Sequence, residues 1–83
     1  KILEIGCGWG GFAEHIAKNY DIKLDCITIS RKQFLFTKER IRKSELTNKV
    51  NVKMMDYRDV EKKYNIIINY NLNTVLLEDL TVL

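Results

Sequence analysis

The residues of this chain that are best suited to chemistry are four glycines within six consecutive positions. They are Gly6, Gly8, Gly10 and Gly11, and the chain contains no other glycine. Because glycine lacks a Cβ and tolerates positive φ, such a loop lets a ligand approach the backbone closely. Gly6, Gly8 and Gly11 also satisfy the G-x-G-x-x-G spacing of nucleotide-binding turns, which is a weak signal when it stands alone.

The sequence on either side of the loop shows which elements must position it. Residues 1–5 form a short apolar run that predicts a buried strand, and apolar residues at helical spacing begin at Phe12. A glycine loop between a strand and a helix lies at the carboxyl edge of the sheet, where ligands bind in open α/β folds. The N–H groups at the helix N-terminus favour an anionic group such as a carboxylate.

The rest of the chain continues to alternate strands with helices. Residues 22–29, 50–55 and 64–68 predict three more strands, and Ser30 caps a second helix that runs to about Glu45. This alternation predicts an α/β fold with a doubly wound parallel sheet. Right-handed crossovers place both helices on one face, whereas parallel sheets normally have both faces covered. We therefore expect an incomplete domain whose other face is covered by further chain or by a partner.

The acidic residues argue against a dinucleotide as the ligand of the loop. A dinucleotide fold expects an acid near the end of the second strand, where it binds the ribose hydroxyls. Here that strand ends in Thr28-Ile-Ser30, and the nearest acid, Asp25, lies in the middle of the strand. Glu4 instead places an acid just before the loop.

The glycine loop and its flanks resemble a known family. Residues 3–11, Leu-Glu-Ile-Gly-Cys-Gly-Trp-Gly-Gly, resemble the first motif of S-adenosylmethionine-dependent methyltransferases, and the Trp-Gly-Gly variant resembles cyclopropane-fatty-acid synthases and mycolic acid cyclopropane synthases. The resemblance covers Lys1 to about Ile68. It implies S-adenosylmethionine as the cofactor and a Rossmann-like sheet of the class I methyltransferase type, incomplete here, with about four strands and two main helices. The flanking strand and helix favour ligand binding over a turn that serves only packing.

Two later segments also match this family. Residues 28–33 resemble its Thr-Leu-Ser-x-x-Gln segment, which implies that Thr28 and Gln33 contact the ribose hydroxyls of the cofactor. From the residues alone, Gln33 could equally close a capping box with Ser30. Residues 56–59, Asp-Tyr-Arg-Asp, resemble the segment that lies over the adenine, although by composition they are simply a polar turn.

The resemblance therefore assigns cofactor contacts to three segments of the chain. The residues are Glu4, Gly6, Cys7, Gly8, Trp9, Gly10, Gly11, Thr28, Gln33, Asp56 and Tyr57. Two of them have competing interpretations, since Trp9 could cap the pocket or pack under the first helix, and Cys7 is more commonly a small buried residue than a reactive thiol. His15 falls on the polar face of its helix, and no residue is assigned a catalytic or metal-binding role.

The match to the family weakens after the fourth strand. The family continues with a Ser-Ile-x-Met-Phe-Glu type of segment whose glutamate helps to hold a bicarbonate ion. An ungapped match places Thr74 at that position, and Glu78 stands four residues late. We therefore expect residues 1–83 to form a partial S-adenosylmethionine-binding domain in which about 69–83 depart from the family pattern. A truncation or a change of reading frame would explain that departure.

The resemblance also implies a reaction. In the complete enzyme, the methyl group is transferred to the double bond of an unsaturated phospholipid acyl chain, and bicarbonate removes a proton as the cyclopropane ring closes. The isolated chain is expected to lack the full active site. Two alternatives therefore stay open, namely a segment of another small-molecule methyltransferase and a non-catalytic remnant.

Composition and charge limit the remaining classes of function. A net charge of +3 without a clustered basic footprint argues against nucleic-acid binding. Basic residues concentrate on the second helix, where a solvated face is favoured over peripheral contact with anionic phospholipid. No stretch approaches the roughly 20 apolar residues of a membrane span. The two cysteines, Cys7 and Cys26, lack metal-site spacing, so a reduced, cytoplasmic compartment is expected.

Overall fold

The computed structural model describes residues 1–69 and, for the backbone, residues 74–81. Its strands and helices are β1 (Ile2–Ile5), α1 (Gly11–Asn19), β2 (Leu24–Thr28), α2 (Arg31–Lys43), β3 (Val50–Met54), β4 (Lys63–Asn69) and β5 (Thr74–Thr81). A short 3-10 turn, Tyr57–Asp59, lies between β3 and β4. Residues 70–73 and 82–83, which belong to the segment expected to depart from the family pattern, lie outside the described residues, as do the side chains of Thr74 and Glu78.

The five strands form one sheet in the order β3-β2-β1-β4-β5. β1 pairs in parallel with both β2 and β4, and β2 pairs in parallel with β3. The strand order therefore reverses at β1, which confirms the predicted doubly wound α/β fold. At such a reversal the connections leave the two neighbouring strands in opposite directions, and a crevice opens beyond their carboxyl ends.

β5 adds an antiparallel strand to the four that the sequence predicts. It lies beside β4, with Thr74 opposite Asn69 and Thr81 opposite Lys63. Only residues 70–73 separate the two strands, and a parallel pair would need a crossover of a dozen or more residues. The short apolar run 75–77 is the sequence signal for this strand.

Both helices pack on one face of the sheet, as predicted. The buried residues on this helix face come from both helices, from the glycine loop, from the connection between α2 and β3, and from alternate strand positions. They are Cys7, Ala13, Ala17, Leu24, Cys26, Ile41, Leu46, Val50 and Val52. α2 ends slightly before its predicted end, because Glu45 has a φ of 59° and turns the chain back towards β3. Among the described residues, no helix is both long and apolar enough to cross a membrane.

The opposite face carries no helix in the described part of the chain, but it is not bare. The connection between β3 and β4 folds across it, and Val60 packs in one cluster with Leu3, Ile27 and Ile67. All four residues are buried. This part of the chain therefore supplies no helix to that face, as expected of an incomplete domain, but its own β3–β4 connection buries part of the face.

A carboxylate is buried on this second face. Asp25, the second residue of β2, is 1% exposed, and its Oδ2 accepts a hydrogen bond of 2.6 Å from the Tyr64 hydroxyl. Lys1 Nζ lies 3.2 Å from Asp25 Oδ1. Burial, together with the hydrogen bond to Asp25, raises the pKa of Tyr64, so its hydroxyl remains a donor. Asp25 is thus kept inside the fold by a hydrogen-bond donor and an ion pair.

We predict that Tyr64→Phe destabilises the fold by roughly 1–3 kcal/mol, because the buried Asp25 carboxylate loses its hydrogen-bond donor. The measurement is the free energy of unfolding from urea titration at neutral pH. The control is Tyr20→Phe, since Tyr20 is 57% exposed. If both variants unfold at the wild-type urea concentration, the Tyr64–Asp25 contact does not contribute to stability.

Candidate functional site

A cleft of about 360 Å³ lies at the carboxyl ends of β1 and β2, within the usual volume of small-molecule sites. Three separate segments of the chain meet there, and each is one that the sequence resemblance singles out. The predicted residues on its wall are Gly6, Gly8, Thr28, Gln33, Asp56 and Tyr57. The wall also contains residues to which the resemblance assigns no cofactor contact: Ile5, Ile27, Ile29, Ser30, Met55 and Arg58.

The glycine loop requires its glycines for conformational reasons. The φ angles are 76° at Gly6, 56° at Gly8 and 86° at Gly10, all in the left-handed region. The N–H groups of Gly6 and Cys7 both donate to the carbonyl of Ile27, which ties the loop to the end of β2. A Cβ at Gly8 would meet no atom within 4 Å. Since Gly8 lines the cleft, this open space is where a ligand can approach bare backbone.

Gly10 and Gly11 face α2 and do not line the cleft. A Cβ built on Gly10 would lie 2.7 Å from Thr37 Cγ2, so the close approach of the loop to α2 requires glycine there. At Gly11 the nearest atom, Arg40 Nη1, would be 3.7 Å away, which is ordinary contact. Of this pair, only Gly10 is required for packing.

Trp9 and Cys7 also lie away from the cleft wall. Trp9 is 53% exposed, and its ring meets that of Phe36 edge to face with centroids 5.3 Å apart. It therefore packs on α2 and not under α1. Cys7 is buried on the helix face beside Cys26. The hydrogen bond to Cys7 and burial raise the pKa of the Cys26 thiol, which keeps Cys26 protonated.

The start of α2 shows that Gln33 does not complete the predicted capping box. Ser30 is the N-cap, and its Oγ accepts from the Gln33 backbone N–H at 3.3 Å. The reciprocal half of the predicted capping box does not form, because the Ser30 N–H donates to Thr28 Oγ1 at 3.1 Å. Thr28 Oγ1 in turn donates to Gln33 Oε1 at 3.3 Å. Thr28 and Gln33 are therefore joined on the cleft wall, where a hydroxyl and an amide suit a ligand with hydroxyl groups.

Asp56 and Arg58 form an ion pair at another part of the wall. Asp56 Oδ2 accepts from Arg58 Nη2 at 2.7 Å, and Oδ1 accepts from Arg58 Nε at 3.1 Å. The side-chain hydrogen bond with Arg58 lowers the pKa of Asp56 to about 2. Asp56 is therefore an ionised acceptor throughout the physiological range. Tyr57, which is half exposed, lines the cleft beside it.

Glu4 is fully buried and does not line the cleft. Its partner across the sheet is Cys26, which points to the helix face, so Glu4 lies on that face, close to the glycine loop. Neither of its carboxylate oxygens has a hydrogen-bond partner among the described residues. Burial, with a smaller contribution from Cys7, raises the pKa of Glu4 to about 8. Glu4 is therefore a neutral acid at pH 7.

The raised pKa of Glu4 leads to a prediction for stability against pH. In the unfolded chain the carboxyl titrates near 4.5, whereas in the folded chain it titrates near 8. Between these values the unfolded state has lost its proton and the folded state has kept it, so stability falls as pH rises through this window. Glu4→Gln has no charge to lose. We expect its advantage in melting temperature over the wild type to grow from pH 4.5 to pH 8 and then level off.

The matched control for Glu4→Gln is Glu45→Gln, at an exposed position outside the cleft. Its difference from the wild type should stay small between pH 4.5 and pH 8. If the Glu4→Gln and wild-type curves run parallel between these two values, Glu4 is ionised in the folded chain and the raised pKa is wrong.

Known proteins resemble this chain over most of its length. The family model described as mycolic acid cyclopropane synthetase matches residues 1–76. A probable fatty acid methyltransferase from Pseudomonas putida is 42% identical over 59 residues, which cover 71% of this chain and 15% of that protein. The cyclopropane-fatty-acyl-phospholipid synthase of Escherichia coli K12 is 36% identical over 69 residues, or 83% of this chain and 17% of that protein.

A solved structure shares the fold. Mycolic acid cyclopropane synthase CmaA1, complexed with SAH and CTAB, matches 82% of this chain and 24% of its own with a TM-score of 0.75 at 22% identity. This chain thus spans only 15–17% of the length of the two curated relatives. The family model nevertheless covers nearly all of the chain. The chain therefore belongs to the mycolic acid cyclopropane synthetase family of S-adenosylmethionine-dependent methyltransferases.

Proposed function

We propose that this chain is the cofactor-binding part of an enzyme that transfers a methyl group from S-adenosylmethionine to the double bond of an unsaturated phospholipid acyl chain, with closure of a cyclopropane ring. One observation carries the proposal: a single cleft brings together the three segments that match the family's cofactor motifs. These segments are distant in sequence, and the parallel sheet places their ends at one edge.

The groups on the cleft wall fit this cofactor. Thr28 and Gln33 would hold the ribose hydroxyls, and the ionised Asp56 would accept from the exocyclic amine of the adenine. The open space beside Gly8 would receive the rest of the molecule, where main chain replaces side chains. When bound, S-adenosylmethionine supplies the methyl group on a sulfonium centre.

The contribution of this chain to catalysis is positioning. Ile5, Ile27 and Met55 line the cleft between its polar groups, and they would exclude water from the bound adenosine. Placing the methyl donor at a fixed distance from a second reactant lowers the entropic part of the barrier. The acyl-chain site and the bicarbonate site are assigned to other parts of the complete enzyme.

Two observations support a lipid as the methyl acceptor. The curated relatives include a phospholipid cyclopropane synthase and a probable fatty acid methyltransferase. α2 also presents exposed cations, and each basic residue near an anionic membrane surface contributes about 1 kcal/mol of attraction. These exposed cations are Arg31, Lys32, Lys38 and Lys43. We therefore include peripheral contact with phospholipid in the proposal.

A second candidate function is methyl transfer to an acyl chain without closure of the ring. The P. putida relative, a probable fatty acid methyltransferase, shares 42% identity with this chain, against 36% for the E. coli cyclopropane synthase. An ungapped match to the family also places Thr74 where the bicarbonate-holding glutamate is expected. Both routes lose one proton after the methyl transfer. Ring closure takes it from the transferred methyl group, whereas the second candidate takes it from a carbon of the acyl chain and leaves a methyl-branched alkene.

For the cofactor site, we predict that Gly8→Ala weakens binding of S-adenosylhomocysteine at least tenfold. The added methyl group would occupy the open space beside Gly8, and the φ of 56° strains any side chain there. The matched control is Gly11→Ala, because its methyl group would make only ordinary contacts. The measurement is isothermal titration calorimetry on variants whose circular dichroism shows the wild-type fold.

The control should bind within about twofold of the wild type, a change of less than 0.5 kcal/mol. Equal affinities of Gly8→Ala and the wild type would place the ligand away from the glycine loop. A folded wild-type chain that does not bind S-adenosylhomocysteine would overturn the proposed function.

For the reaction, we predict a cyclopropane product from a chimera in which residues 1–76, the range that the family model matches and that includes Thr74, replace the matching segment of the E. coli synthase. The host strain lacks its own synthase, and extracted phospholipid acyl chains are analysed by proton NMR. Cyclopropane ring protons resonate far upfield of other acyl protons, so ring closure is distinguished from a methyl-branched alkene of equal mass. A methyl-branched product would favour the second candidate function. An active chimera also requires Gly8, and Gly8→Ala should abolish its product.

A further inference from the structure

Two side chains of α2 hold the glycine loop from the side opposite the cleft. Thr37 is fully buried, and its hydroxyl donates to the carbonyl of Gly8 at 3.1 Å. One turn further along α2, Arg40 Nη1 donates to the carbonyl of Trp9 at 3.2 Å. Neither side chain lines the cleft, and neither belongs to the segments that match the cofactor motifs.

These two bonds fix the orientation of consecutive peptide groups. In a trans peptide the C=O and the following N–H point in opposite directions. A bond from Thr37 to the Gly8 carbonyl therefore turns the Trp9 N–H away from α2. The bond from Arg40 to the Trp9 carbonyl likewise turns away the Gly10 N–H, which donates to the Cys7 carbonyl at 3.1 Å.

Further contacts hold Thr37 and Arg40 in place against the loop. Thr37 Cγ2 would lie 2.7 Å from a Cβ on Gly10, so loop and helix are as close as glycine allows. Arg40 is braced by Glu14 of α1, with 3.2 Å between Nη2 and Oε1, and the other oxygen of Glu14 accepts from the Ser44 hydroxyl. Arg40 therefore links the loop to both helices.

We propose that Thr37, together with Arg40, is a positioning residue that sets the glycine loop for the amino acid end of S-adenosylmethionine. This inference rests on the proposed function. The ribose and adenine groups are assigned to Thr28, Gln33 and Asp56, which leaves the loop to receive the amino acid part of the ligand. A loop peptide that loses its bond to Thr37 can rotate, and its contact with that part of the ligand weakens.

The test compares two ligands that share the adenosyl group. S-adenosylhomocysteine carries the amino acid part, and 5′-methylthioadenosine lacks it. Thr37→Val removes only the hydroxyl, so affinity for S-adenosylhomocysteine should fall roughly fivefold to tenfold, the factor that corresponds to one hydrogen bond. Affinity for 5′-methylthioadenosine should change by less than about twofold. Thr37→Ser keeps the hydroxyl and should restore binding of S-adenosylhomocysteine.

Matched variants separate positioning from general stability. Arg40→Met should reproduce the selective loss, whereas Arg42→Met should not, because Arg42 pairs with the exposed Glu39 and not with the loop. Thr47→Val, at an exposed position, should bind both ligands as the wild type does. Arg40 is only partly buried, so its variant tests the same loop even if Thr37→Val does not fold.

Three results would overturn the positioning role: unchanged binding of S-adenosylhomocysteine by Arg40→Met, an equal loss of both ligands in folded Thr37→Val, and no rescue by Thr37→Ser. A wild-type chain that binds neither ligand would instead overturn the proposed function. The two failures are therefore distinct.

Discussion

The backbone conformation of one short loop is the constraint on which the rest of the site depends. Gly6, Gly8 and Gly10 all have positive φ, a conformation that costs a residue with a side chain roughly 1–2 kcal/mol. These alternating left-handed residues take the chain from β1 into α1 without crossing the mouth of the sheet. The cleft exists because the chain turns aside there, and because no Cβ fills the space at Gly8.

α2 connects this loop to the rest of the cleft. Gln33, Thr37 and Arg40 stand at i, i+4 and i+7, so they lie along one side of the helix. Gln33 lines the cleft, Thr37 donates to the Gly8 carbonyl and Arg40 donates to the Trp9 carbonyl. The helix therefore joins the ribose side of the cleft to the glycine loop through contacts of its own side chains. Thr37 is fully buried in α2, and its hydrogen bond to the Gly8 carbonyl satisfies its hydroxyl group.

Local patterns in the sequence were sufficient for the order of β1 to β4 and both helices, and the family resemblance, not local pattern, identified six of the residues that line the cleft. Alternating periodicity predicts β1 to β4 and both helices, and a parallel sheet brings the strand ends to one edge. Local patterns do not predict contacts between residues that are distant in sequence. The hydrogen bond between the side chains of Thr28 and Gln33 depends on where β2 ends. The hydrogen bond from the Thr37 hydroxyl to the Gly8 carbonyl joins positions far apart in sequence. The covering of the second face by Val60 depends on the path of an irregular connection, which has no periodicity.

The two buried acids show how differently the two faces of the sheet are used. Asp25 accepts a hydrogen bond from Tyr64 at Oδ2. Its Oδ1 has no hydrogen-bond partner among the described residues but forms an ion pair with Lys1, so its burial serves the fold. Glu4 is as deeply buried, yet neither oxygen has a partner in the described part of the chain, and its pKa is raised to about 8. An unpaired buried carboxyl lowers stability, and such perturbed groups concentrate at functional sites. Only Ile5 separates Glu4 from Gly6, the first glycine of the loop. Glu4 lies on the helix face and does not line the cleft, so direct contact with a ligand there does not explain the cost of burying its carboxyl.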